Sequence, residues 1–147
     1  MNAPFPPAVG TFEVHPNPNP MPAEARAKLM EKLSFGKVFS DHMAIIPYRE
    51  GSGWGAGEIK AYGPLTLSPA ANVLHYGQAI FEGFKAYRQP DGGIKSFRPK
   101  ANARRFNESA QRLAMPVVPI ELFVEAADRL VRQDHAWVPG SLDAERL

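Results

Sequence analysis

Aromatic side chains recur through residues 75–88, whose sequence is HYGQAIFEGFKAYR. Tyr76, Phe81 and Phe84 supply large apolar surface, and two glycines between them allow close backbone approach or a positive φ. The pattern is typical of a hairpin flank that packs into a core, and it also suits an aromatic wall around a small molecule. Glu82 lies in this segment and is interpreted as a structural hydrogen-bond partner.

Basic side chains are concentrated just after this segment, at Arg98, Lys100, Arg104, Arg105 and Arg112. A guanidinium can bind a phosphate through two parallel hydrogen bonds. A helix would put Arg105 and Arg112 on one face, because they are seven residues apart. An ordinary solvated basic face explains the same pattern, and no glycine-rich phosphate loop accompanies it.

Other kinds of site are not indicated. The four histidines are scattered, without the helical spacing of a common zinc site, and there is no cysteine. We interpret the histidines as structural and expect no metal site. Asp41 and Glu82 do not form a recognisable catalytic pair of carboxylates. A net charge of +2 is too small to indicate a nucleic-acid or membrane partner, and a cytoplasmic location is expected.

Several elements are needed to position these residues. Good helix formers predict a helix over 23–34, and apolar periodicity predicts helices over 100–113 and 120–134. Asp91-Gly92 between alternating runs predicts a hairpin over 83–98.

Shorter elements are predicted before this hairpin. They are a strand within 37–49, a glycine-rich connector at 51–57, strands at 58–62 and 65–67, and a short helix or turn within 73–81. Seven prolines in residues 1–22 predict a proline-rich arm that is mobile or draped over the surface. The fold class expected is α+β, with helices packed on one face of an antiparallel sheet.

Longer segments resemble the branched-chain amino acid aminotransferases, which are fold-type IV enzymes dependent on pyridoxal phosphate. The resemblance covers about residues 23–140 and is carried by FGKVFSDHM at 35–43, GWG at 53–55, LTLSPAANVLHYGQAIFEGFKAYR at 65–88, FRPKANARRFNESAQRLAMP at 97–116 and DHAWVP at 134–139. It implies the amino-terminal small domain of that fold, over residues 23–147, in incomplete form. It also implies amino-group transfer between leucine, isoleucine or valine and 2-oxoglutarate, in a homodimer.

The resemblance implies roles for four residues. Arg105 matches the arginine that binds the cofactor phosphate, whereas its neighbour Arg104 does not align with that role. Phe39, Tyr76 and Phe81 match aromatic positions that line the pocket for the branched side chain. In the family, the residue at Tyr76 projects into the site of the dimer mate.

The family also uses a lysine that forms a Schiff base with the cofactor, and none of the seven lysines here matches it. No catalytic residue is therefore assigned, the large cofactor domain is expected to be absent, and the chain alone is expected to be inactive. Two alternatives stay open. One is a fragment of another fold-type IV enzyme, such as a D-amino acid aminotransferase or an aminodeoxychorismate lyase. The other is a non-catalytic binding module.

Overall fold

A computed structural model describes residues 12–139. These residues form helices and short strands in an α+β arrangement. The helices are α1 (Ala23–Met30), α2 (Asn72–Tyr76), α3 (Pro99–Arg112), α4 (Ile120–Gln133) and a 3₁₀ turn (His135–Trp137). The strands are β1 (Phe12–Val14), β2 (His42–Ile45), β3 (Tyr48–Arg49), β4 (Gly53–Trp54), β5 (Gly57–Ala61), β6 (Ala86–Arg88) and β7 (Ile94–Ser96).

The largest sheet has the strand order β1-β5-β2 and is mixed. Strand β2 pairs antiparallel to β5, as predicted, but β1 pairs parallel to β5, so the expectation of a purely antiparallel sheet is wrong. The parallel strand comes from the proline-rich segment, of which the structure describes residues 12–22. Phe12–Val14 contain no proline, so their backbone can join a strand ladder. Residues 12–14 of the expected arm are therefore part of the sheet.

The long helices begin where a proline precedes or opens them. Pro22 and Pro119 occupy the N-cap positions of α1 and α4, and Pro99 is the first residue of α3. Proline suits a helix start because its missing N–H would have no partner there. The predicted helices over 100–113 and 120–134 are thus confirmed within a residue at each end.

Helix α4 joins the sheet to α3. It packs against β2 and β5 on one side and against α3 on the other. The residues most completely buried are small or apolar and come from both layers, namely Ile59 on β5 and Ala103 and Ala110 on α3. Phe123 of α4 lies between two rings, 5.4 Å from Phe106 and 5.9 Å from Phe84 between ring centroids. The apolar stripe of α4 thus connects the core to the aromatic segment.

The hairpin predicted over 83–98 is present as β6 and β7, with shorter strands than expected. Two backbone hydrogen bonds close its turn. The Gln89 N–H donates to Gly93 O, and the Gly92 N–H donates to Gln89 O. The N–H of Gly93 donates to the Asp91 carboxylate at 2.9 Å. Gly92 adopts a φ of 82°, which an L side chain rarely adopts, so the Asp-Gly signal has a direct physical basis.

Two local predictions were wrong. Residues 65–67 do not form a strand. Gly53–Trp54 lies within the predicted connector but pairs with Tyr48–Arg49 as a second hairpin, in which the Tyr48 and Trp54 rings lie 5.2 Å apart. Ring contact across the two strands compensates for the low strand propensity of glycine. None of the helices between residues 12 and 139 has the length and apolar character needed to cross a membrane.

Candidate functional site

The segment between α2 and β6 carries the aromatic residues that the sequence singled out. Helix α2 ends at Tyr76 and is capped by Gly77, whose φ of 60° lies in the left-handed region. Glycine closes a helix in this conformation without steric cost. Residues 77–85 then run as irregular chain towards β6. Phe81 lies in this segment and is 77% exposed.

Phe39 and Phe81 line one common cavity of about 1100 Å³. Its wall also includes Phe35, Val38 and Phe84, so the lining is mainly apolar and aromatic. The Phe35 and Phe81 rings meet edge to face with 6.2 Å between centroids. This cavity is large enough for an amino acid, and its walls would favour an apolar side chain.

Two residues of this wall, Phe35 and Phe84, were not assigned a binding role from the sequence. Phe35 lies in the FGKVFSDHM segment and Phe84 in the aromatic segment, so both were within the motifs already quoted. Their position is set by tertiary packing, since Phe35 contacts Phe81 and Phe84 contacts Phe123 across the chain. Spacing along the sequence gives no signal for such contacts.

Tyr76 occupies the last position of α2 and does not line this cavity. It is 84% exposed. The structure therefore brings Phe39 and Phe81 together and leaves Tyr76 on the surface. A binding role for Tyr76 would need a second protein surface that contacts its side chain.

Arg105 lies on α3 and binds Glu82, the residue after Phe81. Its Nε donates to Glu82 Oε2 at 2.6 Å, and its Nη2 donates to Glu82 Oε1. Arg105 is not among the residues that line the aromatic cavity, but it is fixed to the segment that forms the cavity wall. The interpretation of Glu82 as a structural hydrogen-bond partner is confirmed.

The Glu82 carboxylate has further donors around it. Asn102 Nδ2 donates to Oε1 at 2.9 Å, and the Gly83 backbone N–H donates to the same oxygen at 3.0 Å. The bonds from Arg105 and Asn102, with a smaller contribution from Gly83, lower the pKa of Glu82 from 4.5 to about 2. Asn102 also donates to Gly83 O at 3.1 Å. Asn102 was missed in the sequence, although it lies one helical turn before Arg105 and so shares its face.

The other predicted basic residues form an exposed face. Arg98, Lys100, Arg104 and Arg112 are exposed, in agreement with the ordinary solvated alternative. Arg105 is also exposed, with 68% of its side chain accessible, yet it is held by a carboxylate whose own side chain is only 3% exposed. This combination of a fixed and accessible guanidinium distinguishes Arg105 from its neighbours. A guanidinium held in this way could bind an anion through its remaining N–H groups.

A buried histidine and aspartate hold the strand that follows Phe39. His42 Nδ1 lies 2.6 Å from Asp134 Oδ1, and the His42 backbone N–H donates to Asp134 Oδ2 at 2.9 Å. The backbone N–H of Asn17 donates to His42 Nε2 at 2.7 Å. Since Nε2 accepts a bond, it carries a lone pair, and the proton of a neutral ring lies on Nδ1 towards Asp134. The interpretation of His42 as structural is confirmed.

The neighbouring Asp41 completes this attachment. Its carboxylate accepts the Met21 backbone N–H at 2.9 Å and the Trp137 indole N–H at 2.8 Å. Residues 41–42 therefore connect the proline-rich segment, strand β2 and the end of α4. The start of β2, three residues after Phe39, is fixed to the rest of the domain by these bonds.

No family model matches the chain. Comparison with individual proteins, in contrast, finds several branched-chain aminotransferases. The chain is 47% identical over 137 residues to a probable branched-chain-amino-acid aminotransferase of Streptomyces coelicolor, covering 93% of this chain and 38% of that protein. It is 47% identical to the branched-chain-amino-acid aminotransferase of Mycolicibacterium smegmatis, covering 92% and 37%. It is 49% identical to branched-chain-amino-acid transaminase 1 of Bacillus subtilis, covering 73% and 30%.

These matches run along nearly the whole chain but reach only part of each relative. The chain spans a little over a third of the length of the first two relatives. Identity near one half over more than 130 residues is far beyond what shared composition produces. By sequence, the chain belongs to the branched-chain-amino-acid aminotransferase family.

Proposed function

We propose that this chain contributes the phosphate-binding arginine and part of the substrate pocket of a branched-chain-amino-acid transaminase. Arg105 would bind the phosphate of pyridoxal 5'-phosphate, and Phe39 and Phe81 would contact the branched side chain of the substrate. The observation that carries the proposal is the position of Arg105, whose guanidinium is fixed to the residue next to Phe81. The identity to relatives that bear this name supports it.

The residues present fit the phosphate end of this cofactor. Arg105 remains charged at any physiological pH, and its exposed side chain can approach a dianionic phosphate. Bound pyridoxal phosphate would supply the electron sink that amino-group transfer needs. The chain's own contribution is to bind and orient, because none of its lysines matches the Schiff-base lysine of the family. We propose that this lysine belongs to the large domain of the parent enzyme.

The aromatic cavity accounts for the preferred substrate class. Leucine, isoleucine and valine present branched apolar groups, and each methylene buried from water contributes about 0.8 kcal/mol. An apolar pocket discriminates between such side chains and smaller ones only by modest factors. The proposed reaction transfers an amino group from these amino acids to 2-oxoglutarate and yields glutamate.

The remaining parts of the proposal follow from family membership. Residues 23–147 would belong to the small amino-terminal domain of the fold-type IV architecture, preceded by the proline-rich residues 1–22. The enzyme would act as a homodimer in the cytoplasm, and the exposed Tyr76 would project into the site of the dimer mate. We propose no contact with nucleic acid or membrane.

The test is an assay of the longer enzyme to which we propose this chain belongs, here called the full-length protein, supplied with pyridoxal 5'-phosphate. We expect glutamate from 2-oxoglutarate with leucine, isoleucine and valine, and little with D-alanine. Arg105→Ala should raise the cofactor concentration needed for half-maximal activity, whereas Arg104→Ala, which removes an exposed arginine from the adjacent position, should not. The 147-residue chain alone should show no turnover. Turnover of D-alanine without branched substrates would contradict the proposal.

A further inference from the structure

We infer that Glu82 is a positioning residue that fixes one edge of the Arg105 guanidinium and presents the remaining edge to the cofactor phosphate. This inference rests on the proposed function, because it takes a phosphate as the ligand of Arg105. It assigns a role to a residue that does not itself touch the phosphate.

The two hydrogen bonds define which edge is used. Glu82 accepts from Nε and from Nη2 of Arg105, so it occupies the side of the guanidinium nearest the aliphatic stem. The opposite edge consists of Nη1 and the second N–H of Nη2. Among residues 12–139, Nη1 of Arg105 donates no hydrogen bond, whereas Nε and Nη2 both donate to Glu82. Because a guanidinium can bind one oxyanion at each edge, a phosphate could bind at this edge while Glu82 stays in place.

Glu82 is itself held in place. Asn102 and the Gly83 backbone N–H both donate to Oε1, and the carboxylate is almost completely buried. An exposed arginine otherwise samples many rotamers, and fixing it on binding costs conformational entropy. A carboxylate anchored by two further donors removes much of this cost before the phosphate arrives.

A competing role for Glu82 makes the opposite prediction. Glu82 could act as a counterion that the phosphate must displace, and removing its charge would then strengthen phosphate binding. The anchored position of the carboxylate argues against this role, because displacement would also break the contacts with Asn102 and Gly83. The use of only one guanidinium edge means that no displacement is required.

The experiment compares binding of pyridoxal 5'-phosphate with binding of pyridoxal, which lacks the phosphate, by equilibrium dialysis of the full-length protein. Glu82→Gln keeps the size of the side chain but turns an amide N–H towards a guanidinium donor. We expect its preference for the phosphorylated form to fall about tenfold, because the phosphate must then fix an arginine side chain that Glu82 no longer holds fully in place. Glu108→Gln, which changes an exposed acid on α3, the helix that carries Arg105, should leave the preference unchanged.

Arg105→Ala distinguishes a failure of the phosphate-binding role of Arg105 from a failure of the positioning role of Glu82. If it leaves the preference for the phosphorylated form intact, the proposed phosphate role of Arg105 fails. If it removes the preference but Glu82→Gln leaves it intact or increases it, the positioning role of Glu82 alone is overturned. If Glu82→Gln does not fold, Asn102→Ala replaces it, since it removes one anchor of the carboxylate. A preference reduced several-fold is then expected, and an unchanged preference would overturn the inference.

Discussion

Glu82 and Arg105 are joined by two hydrogen bonds although one side chain is buried and the other is exposed. The Glu82 side chain is 3% accessible and the Arg105 side chain 68%. Residue 82 belongs to the aromatic segment and residue 105 to α3, so this contact ties the cavity wall to the helix. Substitution of either residue should therefore weaken the contact between the aromatic segment and α3, and it should also affect the binding of an anion.

The lowered pKa of Glu82 predicts how the free energy of unfolding depends on pH. The pKa of Glu82 is lowered from 4.5 to about 2, first by its hydrogen bond from Arg105. A carboxyl group that is more acidic when folded stabilises the fold above its unfolded pKa and loses that effect as the pH falls towards its folded pKa. Wild type should thus exceed Glu82→Gln in free energy of unfolding at pH 6, with a gap that narrows from about pH 4.5 towards pH 2. Urea titrations at several pH values measure this gap, and a gap that is constant with pH would contradict the account.

Removal of the Asp134 carboxylate should be strongly destabilising. In Asp134→Ala, both the His42 backbone N–H and the ring N–H lose their partner in a buried position. The loss of two hydrogen bonds to a charged group should cost at least about 3 kcal/mol in the free energy of unfolding. Asp128→Ala removes an exposed aspartate from α4, the helix that ends just before Asp134, and should have little effect. Equal effects of the two substitutions on urea unfolding would show that the buried contact is not important.

A methyl group at Gly57 should disrupt the pairing of β1 with β5. A Cβ built at this position would lie 2.2 Å from Cε1 of Phe12. Overpacking of this kind costs about 1–3 kcal/mol, so Gly57→Ala should lower the melting temperature. Gly63→Ala is the control, because no atom lies within 4 Å of its Cβ and its φ is not in the left-handed region. A melting temperature for Gly57→Ala equal to that of wild type would indicate that β1 does not pair here.

The aromatic cavity should set substrate preference in the full-length enzyme. Phe81→Ala removes a ring from the cavity wall, so kcat/KM for leucine should fall about tenfold relative to that for alanine. Phe97→Ala removes a phenylalanine of similar exposure, 76% against 77%, that does not line the cavity. Its leucine-to-alanine ratio should match that of wild type. A similar loss in both variants would mean that the effect is not specific to the cavity.

The elements that were predicted correctly depend on local signals. The Asp91-Gly92 turn supplies the positive φ that a tight hairpin needs, and the apolar spacing of 120–134 is sufficient to define a helix. Strand β1 was not predicted, because its partner Gly57 is distant in sequence and pairing depends on tertiary packing. The same reason applies to His42 and Asp134, which are 92 residues apart.

The candidate site was predicted in part. Phe39 and Phe81 share a cavity, and this relationship agrees with a common role in one pocket. Arg105 could not be separated from the other basic residues by spacing, and only the family resemblance selected it. Its contact with Glu82 depends on how α3 packs beside residues 82–83, which periodicity does not specify. Tyr76 stays a prediction, because its proposed role needs a second subunit.

The decisive experiment is a structure of the full-length protein with pyridoxal 5'-phosphate and a branched-chain substrate analogue bound. We expect a phosphate oxygen about 3 Å from Nη1 or Nη2 of Arg105, with Glu82 still bound at the other edge. We also expect the branched side chain of the analogue to contact the rings of Phe39 and Phe81. A phosphate held entirely by other residues, with Arg105 turned away from it, would contradict the account.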